Sequence, residues 1–339
     1  MKLRLVVPGR IDQATGGYRY AARMLAEWRA AGRDVTLVEL PGCYPDADAT
    51  AFAAARACAA RRMPGETLLI DGLALPAFAG LLPLADAVAL VHHPLGMETG
   101  LASGAAQDLL ASEATMLRAL DGMVATSAAT VRDLAMMGLD RARIRSVDPG
   151  TDPARGPKAR RNPPTILTVA TLTPRKDHRT LLRALARLRD LRWTNLCIGS
   201  TARDPACTAR VRADIRVLRL GRRVRLAGES DMAGLSRIYR SAAIFALASR
   251  HEGYGMAFAE ALAHGLPVAG VRAGAVPRVV PARAGLLVRA GDPAALAHAL
   301  RRLLGPARRR YARNAAALRF PGWRTQADRL WNSVAELAA

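Results

Sequence analysis

The sequence repeats one pattern: a short apolar run, a turn, and then an Ala-, Leu- and Arg-rich stretch with helical spacing. In the first 150 residues this pattern predicts strands at 3–7, 35–40, 67–70, 87–91 and 123–126. Helical patterns lie between and after them, near 18–31, 47–62, 75–82, 105–120 and 127–137. Strands that alternate with helices form parallel sheets with right-handed crossovers, so this alternation predicts an α/β fold.

The pattern stops at residues 148–164, where five prolines stand among basic residues, and then starts again. Such a composition is typical of a linker. The predicted strands after it are 166–170, 193–198, 224–227 and 243–248, again separated by helical patterns. The sequence therefore predicts two doubly wound Rossmann-like domains, residues 1–150 and 151–320, that face a central cleft. Ligands of such domains bind at the carboxyl ends of the strands.

The last segment, residues 321–339, carries an apolar stripe with helical spacing that starts at Trp323. Pro321 and Gly322 allow the chain to change direction just before it. We predict a helix here.

The charge is distributed unevenly along the 339 residues. The formal net charge is +22, but residues 1–150 hold 15 Lys and Arg against 16 Asp and Glu, whereas residues 151–339 hold 35 against 12. A nucleic-acid-binding protein that uses the basic half is therefore an alternative, and a steep salt dependence of binding would reveal it. The basic segments 222–225 and 308–310 contain no interleaved aromatic residues, which favours solvated helix faces. We expect no nucleic-acid partner.

The four cysteines form no C-x-x-C pair, and Pro8 and Gly9 end the first apolar run after five residues. This favours a cytoplasmic protein without a disulfide framework, zinc cluster, signal peptide or membrane span.

The most informative segment is residues 249–265, in which a predicted strand feeds a glycine-containing loop and then a helix that opens near Gly255. The free amides at the start of that helix suit a phosphate. Glu260 can lean back toward the first turn and accept two hydrogen bonds from a ribose diol, and Glu252 can accept hydroxyls of a further group. The alternative is that Glu252 is a helix-start charge and Glu260 an exposed helical carboxylate.

A second cluster follows the predicted strand 166–170. Arg175 and Lys176 lie in the turn before a helix, so two cations and helix amides converge where a diphosphate could bind. An ordinary basic turn is the alternative, although lysine is rare in this chain.

Two weaker signals lie in the first half. His92, at the end of a predicted strand, is either a structural histidine with satisfied hydrogen bonds or a hydrogen-bonding or acid–base group. Gly16 and Gly17, before a helix predicted from Tyr18, could let backbone amides approach an anion. The Asp46-x-Asp48 pair resembles a metal-binding motif, but its position before an Ala-rich helix favours a helix cap.

Taken together, these segments resemble the retaining GT-B glycosyltransferases of family 4. The resemblance covers nearly the whole chain and rests on the Gly-Gly loop, the V-H-H strand end, the T-P-R-K turn and the E-x7-E element of Glu252 and Glu260. It implies that a nucleotide-diphosphate sugar binds mainly to the second domain, and that the final helix crosses back to the first.

The resemblance also implies a role for each matching residue. Glu260 would hold the ribose, and Arg175 and Lys176 the diphosphate. The sugar would contact Glu252 and the amides of Gly253, Tyr254, Gly255 and Met256. His92 would lie near the transferred sugar, and Gly16 and Gly17 would approach the diphosphate. We accordingly count His92, Glu252, Arg175 and Lys176 as candidate catalytic residues.

The expected activity is metal-independent transfer of a sugar from UDP or GDP, with retention, to a hydroxyl of a soluble small-molecule or saccharide acceptor. The neutral first half favours such an acceptor over an anionic lipid, with at most peripheral membrane contact. One departure is Thr171, which stands where many members have an arginine. A noncatalytic relative, or an epimerase of the same architecture, remains an alternative.

Overall fold

The structure is a computed structural model that describes residues 1–99, 102–154, 156 and 162–339. The chain forms two compact units. Residues Met1–Gly150 and Pro321–Ala339 make up unit 1, and Thr151–Phe320 make up unit 2. Of the predicted linker 148–164, Arg155 and residues 157–161 lie outside the described residues.

The first 150 residues alternate strands and helices. In chain order the elements are β1 (Lys2–Pro8), α1 (Gly16–Ala30), β2 (Val35–Leu40), α2 (Ala49–Ala60), β3 (Glu66–Asp71), β4 (Ala87–Val91), α3 (Ser103–Arg118), β5 (Gly122–Ala125), α4 (Ala128–Met136) and β6 (Ile144–Ser146). Short 3-10 helices lie at Leu75–Leu81, Leu95–Met97 and Arg141–Arg143.

The rest of the chain continues the alternation. The elements are β7 (Thr165–Val169), α5 (His178–Ala186), β8 (Thr194–Ile198), α6 (Pro205–Val217), β9 (Val224–Leu226), α7 (Met232–Ser241), β10 (Ile244–Leu247), α8 (Met256–Ala263), β11 (Val268–Val271), α9 (Val276–Val279), β12 (Gly285–Val288), α10 (Pro293–Leu304), α11 (Arg308–Ala316) and α12 (Trp323–Leu337). A 3-10 turn, Pro174–Lys176, precedes α5. Across the described ranges, no helix is both long enough and apolar enough to cross a membrane.

Each unit contains one sheet of parallel strands. The strand order is β2-β1-β3-β4-β5-β6 in unit 1 and β12-β11-β10-β7-β8-β9 in unit 2. The central strands are buried throughout, as the continuous apolar runs predict for sheets covered on both faces. The doubly wound α/β architecture predicted for both halves is confirmed.

Three strands were missed by the sequence analysis: β6, β11 and β12. Each has only three or four residues, and β6 contains an arginine. Their pairing with longer neighbours defines them, whereas a run this short carries no clear periodicity.

Aspartates begin several helices of unit 2. The side chains of Asp177, Asp204, Asp231 and Asp292 each accept a hydrogen bond from the backbone amide three residues ahead, which satisfies one of the free donors of the first turn. In unit 1, Asp48 caps α2 through Ala51 N in the same way. The interpretation of Asp46-x-Asp48 as a helix cap is confirmed.

Helix α12 packs against α1 within unit 1, and aromatic side chains dominate the contact. The indole nitrogen of Trp28 donates a 2.8 Å hydrogen bond to Ala327 O, and the Trp28 ring meets Trp331 edge-on. Where the segments meet, a Cβ added to Gly150 would lie 2.4 Å from Trp323 Cα. The absence of a side chain at Gly150 therefore permits this close approach of two backbone segments.

His178, the first residue of α5, is buried, and neither of its ring nitrogens has a hydrogen-bond partner among the described residues. Burial, together with the nearby Lys176 charge, lowers the pKa of His178 to about 4. The folded protein therefore holds a neutral imidazole.

We predict that Gly150→Ala lowers the free energy of unfolding by about 2 kcal/mol, because the new methyl would meet backbone atoms of Trp323 that cannot rotate away. Urea unfolding monitored by tryptophan fluorescence measures the change. Gly322→Ala is the control, since a Cβ there has no neighbour within 4 Å. Equal stabilities of the two variants would contradict the close approach.

We also predict a pH-dependent difference in stability between the native protein and His178→Leu. The unfolded chain takes up a proton near the ordinary histidine pKa of 6.5, but the folded chain takes it up only near pH 4. The contribution of the neutral imidazole to the free energy of unfolding is therefore complete above about pH 6.5. It is lost as the pH falls toward 4. Between these two pH values, the free energy of unfolding changes by at most about 1.4 kcal/mol per pH unit because of this one proton.

Urea unfolding of both proteins between pH 4 and 7 tests this prediction. His298→Leu, at an exposed position on α10, is the control. Burial raises the pKa of Glu113 to about 7 and gives a contribution of the opposite sign, but the difference between native protein and variant removes it. A difference that is constant with pH would show that His178 does not have the lowered pKa.

Candidate functional site

The strand order of unit 2 brings two predicted segments together. The chain proceeds from β7 to β8 and β9 on one side, and then crosses to β10, β11 and β12 on the other, so that β7 and β10 are neighbours. This is the topological switch point, outside which ligands bind in open α/β sheets. The loop with Arg175 and Lys176 follows β7, and the loop with Glu252 follows β10.

A buried ion pair joins these two loops. The Nζ of Lys176 lies 2.7 Å from Oε1 of Glu252, and both side chains are largely buried. Burial opposes ionisation of Glu252, but the charges of Lys176 and Arg175 and a hydrogen bond from Lys176 outweigh it, so the pKa of Glu252 lies below its ordinary value. The carboxylate is therefore charged and fixed in direction.

Backbone hydrogen bonds fix the same loops. Arg175 donates from Nη1 to His251 O at 3.1 Å, and the Arg250 amide donates to Arg175 O at 2.8 Å. On its other side, Glu252 O accepts a hydrogen bond from Ala275 N in the loop after β11. Glu252 is thus held by elements that follow three adjacent strands.

Helix α8 begins beside this pair. Its N-cap, Gly255, has a φ of 94°, in the left-handed region that favours glycine, and no side chain caps the helix. Phe258 N already donates to Gly255 O at 2.9 Å, so Met256 and Ala257 carry the first-turn amides that could serve an anion. Gly253, Tyr254 and Met256, which the resemblance placed around a sugar, are all partly buried here.

Glu260 is held by a side chain of the preceding helix, α7. Its Oε2 accepts a 2.9 Å hydrogen bond from Tyr239 Oη of α7, and the same hydroxyl lies 3.3 Å from Ala257 O in the first turn of α8. The predicted approach of Glu260 to the amides of that turn stays a prediction. Tyr239 stacks on His264 at 4.9 Å between ring centroids, and His264 bonds Glu260 O through Nδ1. These contacts tie α8 to α7 and fix the direction of the Glu260 side chain. Glu260 is therefore a positioned carboxylate and not an exposed helical charge.

Unit 1 holds a smaller cluster at its own switch point, between β1 and β3. Nε2 of His92 lies 3.3 Å from Asp71 Oδ2, and Tyr20 meets the imidazole edge-on. Whether His92 is a structural residue or acts on a ligand stays a prediction. Its backbone oxygen accepts bonds from Thr126 and Thr130.

Gly16 and Gly17 lie in the first turn of α1 and not in the preceding loop, because the helix starts two residues earlier than predicted. A Cβ at Gly17 would be 3.0 Å from Cδ2 of His92. A packing requirement of the imidazole therefore accounts for Gly17. For Gly16 the structure gives only its place at the helix start, and the anion-binding role of both glycines stays a prediction.

Sequence reasoning missed four polar side chains of these clusters. Asp177 caps α5 and binds Arg250, Tyr239 orients Glu260, and Asp71 faces His92. Asp71 had a sequence signal, a carboxylate ending an apolar strand. The contacts of Arg250 and Tyr239 had none, since their partners are 73 and 21 residues away. In the described part of the chain, no three His, Cys, Asp or Glu side chains cluster as metal ligands would.

Comparison with known proteins gives concordant results. Residues 163–305 match the family model described as Glycosyl transferases group 1. Similar curated proteins are D-inositol 3-phosphate glycosyltransferases. The one from Catenulispora acidiphila is 29% identical over 65% of this chain and 58% of its own length. The one from Kineococcus radiotolerans is 31% identical over 64% and 57%. The chain thus spans less than three fifths of these relatives.

Solved structures resemble the chain over nearly its full length. Sucrose-phosphate synthase from Thermosynechococcus elongatus superposes with a TM-score of 0.81 and 21% identity, covering 99% of this chain and 98% of that one. Anabaena HepE, solved with UDP and glucose, gives a TM-score of 0.76 at 16% identity and covers 99% of both chains. The chain therefore has the GT-B fold of these structures, and its residues 163–305 match the family of group 1 glycosyltransferases.

Proposed function

We propose that the protein is a glycosyltransferase that moves a sugar from a UDP or GDP donor to a hydroxyl of a soluble small-molecule or saccharide acceptor. The observation that carries the proposal is the Lys176–Glu252 ion pair at the switch point of unit 2, beside the uncapped start of α8. Fixed charges and helix amides at this edge suit a diphosphate ester. The family match supports the same chemistry.

The donor would bind along this edge. Arg175, Lys176 and the first amides of α8 would meet the diphosphate, and Glu260, oriented by Tyr239, would accept both ribose hydroxyls. Glu252 and the amides that follow it would bind the sugar. HepE, which was solved with UDP and glucose and with UDP-glucose, supports a uridine donor for the first trials.

In the proposed reaction, the protein must stabilise a leaving diphosphate. As the bond between the anomeric carbon and the phosphate oxygen breaks, the fixed cations and amides would take up the developing negative charge without a metal ion. We propose retention by front-face attack. The acceptor oxygen bonds to the same face of the anomeric carbon, and its proton passes to the departing phosphate oxygen.

The acceptor is proposed to be small and polar. The curated relatives are named for D-inositol 3-phosphate, which makes phosphorylated polyols the first compounds to test. The near-neutral charge of residues 1–150 agrees with an acceptor of this kind. Four free cysteines, three of them buried, agree with a reducing cytoplasmic setting.

We predict different effects for two substitutions in unit 2. Glu260→Ala should weaken UDP binding about tenfold, since it removes the hydrogen bonds to the ribose. Lys176→Ala should lower kcat at least about a hundredfold, since it removes a charge near the leaving group and releases Glu252. Calorimetry measures the first effect, and acceptor-dependent release of nucleotide measures the second.

Glu229→Ala and Lys2→Ala, both at exposed positions, are the matched controls. Unchanged binding and turnover in both site variants would refute the proposed site. Nucleotide-sugar turnover that does not depend on an added acceptor would instead indicate an epimerase or a hydrolase.

A third prediction concerns Gly17. Gly17→Ala should lower kcat about tenfold or more without a comparable change in the Kd of UDP, because its methyl would displace His92, which we propose contacts the transferred sugar. Gly104→Ala is the control, since Gly104 is likewise the second residue of its helix and a Cβ there has open space. Full activity of Gly17→Ala would remove His92 from the proposal.

A further inference from the structure

Arg250 presents an exposed guanidinium at the same edge of the unit 2 sheet. It lies between β10 and Glu252, its backbone amide donates to Arg175 O, and its Nε donates to Oδ2 of Asp177 at 3.1 Å. Its side chain is 57% exposed, against 6% for Asp177. Among the described residues, Nη1 and Nη2 have no hydrogen-bond or ion-pair partner. These two nitrogens are therefore available to an external acceptor.

The other two cations at this edge, Lys176 and Arg175, already bind other groups of the protein. Lys176 is 17% exposed, and Glu252 neutralises its charge. Arg175 is partly buried and donates to His251 O. Of the three, Arg250 is the one that combines a fixed Nε with an exposed fork of donors, which is the geometry that binds phosphate in a bidentate manner.

Asp177 is built to hold this arginine. It has a φ of 43°, in the left-handed region, and its buried carboxylate accepts hydrogen bonds from Thr180 N and Thr180 Oγ1 as well as from Arg250. One acid therefore starts α5 and fixes the guanidinium. Buried carboxylates need such partners to stay charged.

We propose that Arg250 binds a phosphate group of the nucleoside diphosphate donor through Nη1 and Nη2, with Asp177 as its positioning residue. The inference rests on the proposed function and adds a cation that neither the sequence analysis nor the E-x7-E motif identified. Because the negative charge on the leaving phosphate rises during transfer, Arg250 contributes to binding and also to turnover.

The test compares UDP with uridine on the full-length protein. Arg250→Ala should raise the Kd of UDP about tenfold to a hundredfold, the effect of losing a charge-assisted bidentate contact. It should leave the Kd of uridine unchanged, since uridine has no phosphate. Arg179→Ala is the matched control, because Arg179 lies on α5 of the same unit and also pairs through Nε with an aspartate, Asp214.

Asp177→Asn tests the positioning role. Asparagine tolerates a positive φ and still caps a helix, but it removes the charge that holds Arg250 Nε. We expect a weaker but parallel loss of UDP affinity and a fall in kcat. In the double variant with Arg250→Ala, the two losses should not add. If Asp177 were only a helix cap, its loss would lower the melting temperature without a selective effect on UDP.

The outcomes separate the two proposals. If native protein binds neither UDP nor GDP, the proposed function fails. If Glu260→Ala weakens UDP binding while Arg250→Ala does not, the function stands and the role of Arg250 is refuted. If Arg250→Ala weakens UDP and uridine equally, its effect is on the fold of the loop, and the phosphate contact is likewise refuted.

Discussion

The ion pair between Lys176 and Glu252 unites the two loops at the switch point of unit 2. Two charges are withdrawn from water there, and removing either partner would leave the other buried and uncompensated. The crossing bonds of Arg175 and Arg250 surround the pair, so the loops after β7 and β10 form one rigid edge. The donor that we propose for this edge would meet groups already in place, which is the pre-organisation that electrostatic catalysis requires.

The parts of this fold that sequence analysis could predict are local ones. Apolar runs gave the long strands, and Asp48 was identified as a helix cap because its amide partner, Ala51, is only three residues away. The spacing of Glu252 and Glu260 placed both correctly on a loop and the following helix. Local patterns did not reveal β11, whose four residues acquire their identity from pairing with β10 and β12.

The contacts that define the site are long-range, which is why the sequence identified residues but not their partners. The sequence predicts that Lys176 binds an anion and that Glu252 binds hydroxyls, but 76 residues separate them and nothing in either segment predicts their ion pair. Likewise, the sequence predicts that Gly17 approaches an anion, whereas in the structure the His92 ring occupies the space beside Gly17 that a side chain would need. Residue types indicate the chemistry, but strand order decides which of them meet.

Strand order also gives a reason for the departure at Thr171. The resemblance leads one to expect an arginine directly after β7, and this chain has a half-buried threonine there. A guanidinium that serves a phosphate at the switch point can come from either neighbouring loop, because β7 and β10 are adjacent. Arg250, anchored across these loops by Asp177, supplies one from the β10 side. The requirement is for a fixed positive charge at this edge, and two sequence positions can meet it.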